Sequence, residues 1–384
     1  GRDRYARGDR TRAGHRNGYA PTTVKTTAGP VELARPKLRG TDERFASRLL
    51  GKAVTRSNAL ESLVIAGYVR GLSTRDVEAA LADALGPEAT LSKSTVSRVC
   101  TAIAVEFDTW RRRDLSDIEL EYLYLDGSHF RYHDGARAEP VLCAWGITTT
   151  GAPVFLALDA ASSESHDACA GFLRDLVARG LRPPLLVITD GAPGLIGAVE
   201  QVYGDSLRQR CLIHRVRNVT AKVSQGDRDE VKADFWAIFD LPEEFEPGDA
   251  AVAEARRRAE QFATKWQPKY PGAVACVLDD LASLTTFLRF PREHWRRIRH
   301  TNLIERTFGE SRRRVKVIGR LPGERSCLSL VWAVLDRASR GWRGVDMNPA
   351  NVRLLQQLRA DLFHTYEPLS EEVTDLAETT PAVA

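Results

Sequence analysis

The sequence predicts an α/β fold that carries an all-helical insertion and follows an N-terminal helical region. Three observations indicate this class. Short segments between residues 119 and 160 alternate apolar and polar residues or run apolar, which is typical of strands. Helical and strand-like segments then alternate up to residue 227, and residues 228–300 show helical periodicity. A strand-rich block followed by helix–strand alternation predicts a layered α/β core.

The first part of this core, residues 119–227, opens with three strand candidates. They read YLYLDGSHFRYH, PVLCAWGIT and PVFLALDAA, and the turn signals HDGA and TTGA separate them. Short strands joined by tight turns predict an antiparallel meander.

Helices and strands alternate after the meander. His166–Gly180 is amphipathic, and Pro184–Asp190 is a short apolar run typical of a buried parallel strand. A helix is predicted at Ala192–Tyr203, a strand at Leu207–His214 and a helix at Val216–Val223. The resulting order, β-β-β-α-β-α-β-α, is that of the ribonuclease H-like fold.

Two regions precede the core. Residues 1–40 are basic and rich in Gly, Pro and Thr, and we interpret them as an extended arm. Residues 41–113 predict a helical DNA-binding domain. Its third helix, LSKSTVSRVCTAI, is polar and contains Lys93 and Arg98, which favours a helix-turn-helix. An ordinary helical bundle with small polar caps is the alternative.

Positive charge is concentrated at both ends of the core. Residues 1–56 have a net charge of +9, and residues 289–325 have +8. The second segment includes a cationic run that we assign to DNA contacts, made of Arg312, Arg313, Arg314 and Lys316. Such segments suit a polyanion, because phosphate contacts release counterions. Ordinary solvated surface charge is the alternative.

The remaining boundaries and the composition complete the outline. Residues 301–345 are predicted to hold the final helices of the core, and residues 346–384 a C-terminal helix and an acidic tail. The six cysteines are scattered without a CxxC pair, which argues against a disulfide framework and favours a reducing compartment. No apolar run reaches the roughly 18 residues of a membrane span, and no signal peptide is visible, so we expect a cytoplasmic protein without membrane partners.

Two aspartates are the leading candidates for chemistry. Asp126 lies in YLYLDG, at or near the end of the first strand, and Asp190 ends VITD. In this fold those strand ends lie side by side, so the two carboxylates can hold hard divalent cations together. Phosphodiester cleavage uses two such ions about 4 Å apart, one for the attacking oxygen and one for the leaving oxygen.

A third carboxylate must come from a helix beside these strands. Glu305 is the best candidate, Asn302 lies one turn before it on the same face, and Glu310 is the alternative acid. Each acid taken alone has a plainer interpretation. An Asp after a strand is often a turn residue, and Glu305 could form a surface salt bridge with Arg306 or Arg299.

Cys211 and His214 form a CxxH pair in RQRCLIHRVRNV. A zinc site would need further ligands, and none is convincing nearby. The pair is expected to shape the wall of the active site or simply to pack.

At these residues the chain resembles the Mutator-type transposases of bacterial insertion sequences, from about Gly18 to Arg340. The stretches that carry the resemblance are GYAPTTVKTTAGPVEL, RGLSTRDVEAAL, SKSTVSRV, YLYLDGSHFR, VITDGAPGL, QRCLIHRVRN, TNLIERTF and GRLP. Their order and spacing together are specific, although no single stretch would be.

The resemblance implies a DDE active site in a ribonuclease H-like domain, with the helical insertion between the second Asp and the Glu. Its acids fall on the three carboxylates already chosen, Asp126, Asp190 and Glu305. The family's C/D-xx-H signature falls on the CxxH pair. Glu164 and Ser165 match a recurring Ser-Glu-Ser patch and are expected near the site.

The resemblance also implies cofactors and partners. These are two Mg²⁺ or Mn²⁺ ions, terminal inverted repeats and target DNA, a homodimer on paired ends, and an excised circular intermediate. The bound protein would associate with the bacterial nucleoid. Two alternatives remain: a ribonuclease H-like nuclease without strand transfer, and a non-catalytic DNA-binding derivative. The basic segments favour a protein that holds DNA ends, and the three acids argue against loss of catalysis.

Overall fold

The computed structural model describes residues 15–26, 29–39, 93–133, 137–161, 163, 165–301, 304–305, 308–309, 311–312 and 323–363. Of the predicted helical DNA-binding domain, only the third helix and the residues after it lie within these ranges. The predicted functional residues that lie outside them are Glu164, Asn302, Glu310, Arg313, Arg314 and Lys316.

The N-terminal arm is a paired β-hairpin. Strands β1 (His15–Thr26) and β2 (Gly29–Arg39) run antiparallel, with His15 opposite Arg39 and Thr26 opposite Gly29. The composition predicts an extended arm, and the structure adds the partner strand. β-Branched residues explain the pairing, since the Thr22–Val24 stretch is stiff at χ1 and favours strand geometry.

A five-stranded sheet forms the centre of the molecule. Its members are β3 (Leu120–Phe130), β4 (Glu139–Thr148), β5 (Pro153–Ala160), β6 (Leu186–Thr189) and β7 (Leu207–Arg210). They lie in the order β5-β4-β3-β6-β7. The first three are antiparallel, as the predicted meander requires, whereas β6 runs parallel to β3 and β7 parallel to β6.

Helices surround this sheet. Those with fully described bounds are α1 (Lys93–Arg111), α2 (His166–Ala178), α3 (Pro193–Val202), α4 (Leu212–Thr220), α5 (Arg228–Ala237), α6 (Asp249–Trp266), α7 (Pro271–Leu278), α8 (Leu281–Thr285), α9 (Trp295–Ile298), α10 (Glu324–Ser339) and α11 (Pro349–Leu362). A further helical segment is described at residues 304–305, 308–309 and 311–312 and is called the Glu305 segment below. Residues 228–300 are largely helical, as the sequence predicts.

Both faces of the sheet are covered, which explains the apolar character of β3. Leu123 and Leu125 join the hydrophobic cluster that includes α2 and α3. Tyr122 and Tyr124 join the larger cluster on the other face, with the helical insertion and α10. Successive side chains of a strand point to opposite faces, so a strand between two layers must be apolar at almost every position.

The prediction of a strand over Leu207–His214 is wrong in its second half. β7 stops at Arg210, and α4 begins at Leu212, not at Val216 as predicted. The chain turns at Cys211, and the backbone N–H of Leu212 donates to the carbonyl of Arg299 at 2.9 Å. This contact lies outside the strand ladder and favours the start of a helix. His214 is therefore on a helix and not on a strand.

The C-terminal helices close the fold. α10 packs against α1 and β5. α11 is tied to the first residues of β3 because Arg359 donates through Nη2 to the Leu120 carbonyl at 2.9 Å and to Glu121 Oε2 at 2.8 Å. No single helix in the described part of the chain is long and apolar enough to cross a membrane. Two consecutive helical segments, Pro271–Leu278 and Leu281–Arg289, reach that length and hydropathy only together, and they are bent by 64° relative to each other.

A chain of aromatic rings connects α1 to the sheet. Trp110 of α1 lies 5.9 Å from Trp332 of α10 and 4.6 Å from Phe155 of β5, measured between ring centroids. Within the sheet, Trp145 stacks on Tyr124 at 4.1 Å and an interplanar angle of 11°. These contacts make the second half of α1 part of the core.

Candidate active site

Two of the three predicted acids are placed by the parallel pair of strands β3 and β6. Tyr124 lies opposite Ile188, and two residues further along each chain come Asp126 and Asp190. Asp190 directly follows the end of β6, so the two acids lie next to each other along this parallel pair, and the charge of Asp190 acts on Asp126. Asp126 lies inside β3 and not at its end, since β3 continues along β4 to Phe130 after β6 has stopped.

Asp126 is a buried acid in an acidic neighbourhood. It is only 5% exposed, and its Oδ1 accepts a hydrogen bond from the backbone N–H of Gly127 at 2.9 Å. Burial raises the pKa of Asp126 to about 7, the charges of Asp190 and Glu305 add to the rise, and His214 opposes it. Asp190 and Glu305 are therefore both within electrostatic range of Asp126. A carboxyl in this environment favours a nearby cation.

Asp190 is fixed by the turn that follows β6. Its Oδ1 accepts a hydrogen bond from the backbone N–H of Ala192 at 3.0 Å, immediately before α3 begins at Pro193. Gly191 between them has φ +88°, a conformation that glycine adopts without steric cost. The turn directs one carboxylate oxygen to the backbone and leaves the other for a ligand.

Glu305 reaches the site from the Glu305 segment and is held by an arginine. Its Oε1 accepts a hydrogen bond from Nη1 of Arg217 on α4, at 2.6 Å. Its Oε2 is buried and has no hydrogen-bond partner among the described residues. One oxygen is therefore neutralised by a half-exposed guanidinium, while the other is available to a positive group.

Thr301, which precedes the Glu305 segment, is anchored at the junction of β7 and α4. The backbone N–H and the hydroxyl of Thr301 both donate to Cys211 Sγ, at 3.4 and 3.6 Å. The backbone N–H of Glu305 points to the Thr301 carbonyl at 3.4 Å. Cys211 thus connects the strand next to Asp190 with the segment that carries the third acid.

The donor set fits a hard divalent cation, but the three carboxylates do not stand in a preformed metal cage. Within the described ranges, no group of three or more His, Cys, Asp or Glu side chains has metal-binding geometry. Two observations support the fit. Glu305 Oε2 is an unpartnered buried oxygen, and Asp126 has a raised pKa in a cluster of acids. Carboxylate oxygens are the ligands that Mg²⁺ and Mn²⁺ prefer.

Cys211 and His214 lie in the wall of this site. The Cys211 thiol raises the pKa of His214 to about 9 against the opposing effect of burial, and the charges of Asp126 and Asp190 add to the rise. Burial alone would raise the pKa of Cys211, and hydrogen bonds with His214 and Thr301 outweigh it and lower that pKa. A protonated His214 beside two aspartates stabilises their negative charge. No further zinc ligand accompanies the pair in the described part of the chain.

Arg217 is a site residue that the sequence analysis does not identify. It lies three residues after His214 on α4, which places both side chains on one face of the helix. That spacing, in a stretch already marked by Cys211 and His214, is the signal that could have found it. Its partner Glu305 is 88 residues away, and no local pattern indicates that pairing.

Comparison with known proteins decides the family. The model of the family described as "Transposase, Mutator family" matches residues 1–344.

The chain belongs to the Mutator family of transposases.

Its relatives include transposases of three bacterial insertion sequences. The transposase for IS6120 of Mycolicibacterium smegmatis is 33% identical over 314 residues, which are 82% of this chain and 93% of the relative. The transposase for ISRM5 of Rhizobium meliloti is 29% identical over 341 residues, 88% and 82% of the two chains. The transposase for IS1081 of Mycobacterium tuberculosis is 31% identical over 375 residues, 97% and 86% of the two chains.

Of the predicted DNA-binding residues, the structure describes only Lys93, Arg98 and Arg312. Lys93 and Arg98 lie in the first half of α1, whose second half is fixed in the core by the buried side chains of Ile103 and Phe107. Arg312 is exposed on the Glu305 segment. A helix that is buried at one end and polar at the other can hold its polar end in a defined position relative to the sheet.

Proposed function

We propose that this transposase acts for a bacterial insertion sequence and cleaves and joins DNA strands at a ribonuclease H-like site made of Asp126, Asp190 and Glu305. The positions of the two aspartates carry the assignment, since Asp126 and Asp190 each come two residues after the paired Tyr124 and Ile188 of adjacent strands. The strand order and the names of the relatives support it, since those proteins are transposases for insertion sequence elements. We place its action at the nucleoid in the cytoplasm of a bacterial cell.

Two Mg²⁺ or Mn²⁺ ions are the cofactors we propose. When bound, such ions activate the attacking hydroxyl or water and stabilise the leaving oxygen. Asp126 and Asp190 each use Oδ1 to accept a backbone N–H, so each offers Oδ2 as a ligand in a fixed direction. Glu305 offers Oε2. His214 holds a proton next to the aspartates and limits their mutual repulsion.

Arg217 competes with the cations for Glu305 in this proposal. Its side chain is 55% exposed, so a DNA phosphate can reach the guanidinium without opening the core. A planar guanidinium matches a phosphate as well as it matches a carboxylate. When DNA binds, Arg217 would leave Glu305 and pair with a phosphate of the DNA backbone. Glu305 would then be free to bind a metal ion.

The specific DNA is proposed to be the terminal inverted repeats, with target DNA as the second substrate and a homodimer on the paired ends. Residues 41–113 are proposed to recognise the ends as a helix-turn-helix region with Lys93 and Arg98. The cationic run from Arg312 is proposed to contact the phosphate backbone without sequence preference, and its support is the net charge of residues 289–325.

The test replaces each acid by its amide in the full chain, as Asp126→Asn, Asp190→Asn and Glu305→Gln. Each variant should lose strand cleavage and joining by at least about 10³-fold, on the scale reported for removal of essential catalytic groups, and should still bind a labelled element end. Joined product from the labelled end and a target plasmid identifies strand transfer. Fragments alone would identify a nuclease.

The matched control is Asp205→Asn, which removes an exposed acid from the loop before β7. It should react like the unmodified protein. Near-normal joining by any of the three amide variants would refute the role of that residue. A wild-type chain that neither cleaves nor joins its own element ends in Mg²⁺ or Mn²⁺ would refute the enzymatic proposal as a whole.

A further inference from the structure

A largely buried charge cluster lies beside the turn that carries Asp190. Three arginines converge on Asp280, the residue before α8 in the helical insertion. Arg210 Nη1 lies 2.5 Å from Asp280 Oδ2, Arg215 Nη2 lies 2.9 Å from the same oxygen, and Arg208 Nη2 lies 3.9 Å from Oδ1. Their side chains are 18% exposed or less. Because these side chains are largely buried and share one carboxylate, the guanidinium groups are held in fixed positions around Asp280.

Arg210 is the member of the cluster that contacts the active-site turn. A Cβ added at Gly191 would stand 2.2 Å from Arg210 Nε and 2.5 Å from its Cζ, so the guanidinium lies directly against the glycine backbone. Gly191 separates Asp190 from Ala192, the two residues joined by the 3.0 Å hydrogen bond that orients the carboxylate. Arg210 therefore covers the centre of the turn that fixes Asp190.

The same strand is attached to the helical insertion at a second point. Gln209 is fully buried, and its side-chain amide donates to the Leu284 carbonyl at 3.2 Å and accepts from the Phe287 backbone N–H at 2.8 Å. β7 is the edge strand of the sheet, and the insertion covers this edge. Gln209 and Arg210 together make the insertion a rigid support for the strand next to Asp190.

We propose that Arg210 is a positioning residue for Asp190 and that Asp280, carried by the helical insertion, holds Arg210 in place. This inference rests on the proposed function, in which Asp190 is a cation ligand. The helical insertion then has a defined role, because through Asp280 and Arg210 it fixes the position of the proposed ligand Asp190. Without Asp280 the guanidinium would lose its partner, and the turn at Gly191 would lose its cover.

For Arg210, charge and position predict opposite effects, and Arg210→Ala therefore decides the proposal. Removing a cation close to a metal site strengthens divalent cation binding if only charge matters. Loss of a positioning contact weakens it instead. The probe is Mn²⁺ alone, titrated by electron paramagnetic resonance into the full chain bound to an element-end duplex.

Arg210→Ala and Asp280→Asn should each weaken Mn²⁺ binding about tenfold while end binding stays unchanged. Arg210→Lys should restore little, since an ammonium keeps the charge but not the planar contact. The matched control is Arg257→Ala, which removes an exposed arginine of the insertion that pairs with Glu254. Mn²⁺ binding that is unchanged or tighter in Arg210→Ala would overturn the proposal.

A second measurement covers the case in which Arg210→Ala does not fold. Gly191→Ala places a methyl group in the position of the guanidinium, in addition to the strain at positive φ. Gly191→Ala should weaken Mn²⁺ binding more when residue 210 is arginine than when it is lysine, because the lysine ammonium group is narrower than the guanidinium and leaves room for the methyl group. Equal effects in the two backgrounds would contradict the contact.

Asp190→Asn distinguishes a failure of the proposed function from a failure of the positioning role of Arg210 alone. If this variant binds Mn²⁺ as tightly as the unmodified chain, Asp190 is not a ligand and the proposed function fails. If it binds weakly while Arg210→Ala and Asp280→Asn bind normally, the site assignment stands and only the positioning role is lost.

Discussion

The two halves of the candidate site are held in different ways. Asp126 lies within β3 and Asp190 directly follows the parallel neighbour β6, and a backbone N–H fixes one oxygen of each. Glu305 lies on a separate segment and depends on side chains, namely Arg217 at its carboxylate and Cys211 beneath Thr301. The sheet therefore fixes the first two acids through the backbone, whereas side chains hold the third. In the proposed function this difference allows the site to assemble only when its substrate is present.

The largest expected effect comes from breaking the support of β3, the strand of Asp126. Arg359→Met leaves Glu121 buried at 5% exposure without its cation. The free energy of unfolding, measured by urea denaturation, should fall by about 3 kcal/mol or more, as for other buried pairs that lose one partner.

The double variant Glu121→Gln/Arg359→Met is the control, because it removes both charges. It should recover most of the loss. A single variant within about 0.5 kcal/mol of the unmodified protein would show that the sheet half is not stabilised through this pair.

The next effect concerns pH and the same half of the site. His294 is buried between Tyr122 and the chain at Asp346, whose carbonyl lies 2.7 Å from Nε2. Nε2 must therefore carry the proton, and Nδ1 accepts from the Tyr122 hydroxyl at 2.6 Å. Burial lowers the pKa of His294 below its usual 6.5, an effect that the contact with Asp346 opposes.

A lowered histidine pKa means that the folded state binds fewer protons than the unfolded state. This contribution to stability is complete above about pH 6.5 and is lost as the pH falls toward the lowered value. The slope should reach at most about 1.4 kcal/mol per pH unit. Denaturation curves of His294→Gln should lack this component, and identical pH profiles for the two proteins would refute it.

The smallest effect on stability is expected for the ion pair of Glu305, where the change should appear in Mn²⁺ binding instead. Arg217→Gln removes an ion pair whose arginine is 55% exposed, so the free energy of unfolding should change by less than about 0.5 kcal/mol. In the protein without DNA, Mn²⁺ binding should tighten on the order of threefold, because the competitor for Glu305 is gone.

Arg340→Gln is the matched control, since it removes an equally simple surface pair with Asp336 on α10. It should leave Mn²⁺ binding unchanged. Weaker Mn²⁺ binding in Arg217→Gln would mean that Arg217 supports the third acid instead of competing for it.

The same contrast separates what the sequence predicts from what it does not. The meander, the strand before Asp190 and the helical insertion follow from periodicity, because burial on one or two faces leaves a local pattern. The boundary at Cys211 was missed because it depends on a hydrogen bond to Arg299, far away in the chain. The hairpin of the N-terminal arm needed knowledge of a partner strand that local composition does not contain.

Side-chain pairing marks the limit most clearly. Glu305 could be chosen from its apolar neighbours and from the need for a third acid. Its contact with Arg217 could not be deduced, and neither could the meeting of Arg210 with Asp280, since each joins residues 70 or more positions apart. Charged residues are common on surfaces, so their pattern alone does not show which of them meet.

The ring contacts of α1 with β5 and α10, and of β4 with β3, give the transposase a built-in optical reporter. Trp110, Trp332 and Trp145 are three of its seven tryptophans, and Trp145 stacks on Tyr124, which lies two residues before Asp126. Near-ultraviolet circular dichroism responds to fixed packing of such rings. A displacement of α1 upon contact with an element end would therefore change this signal without any added label, and a spectrometer could follow it in real time.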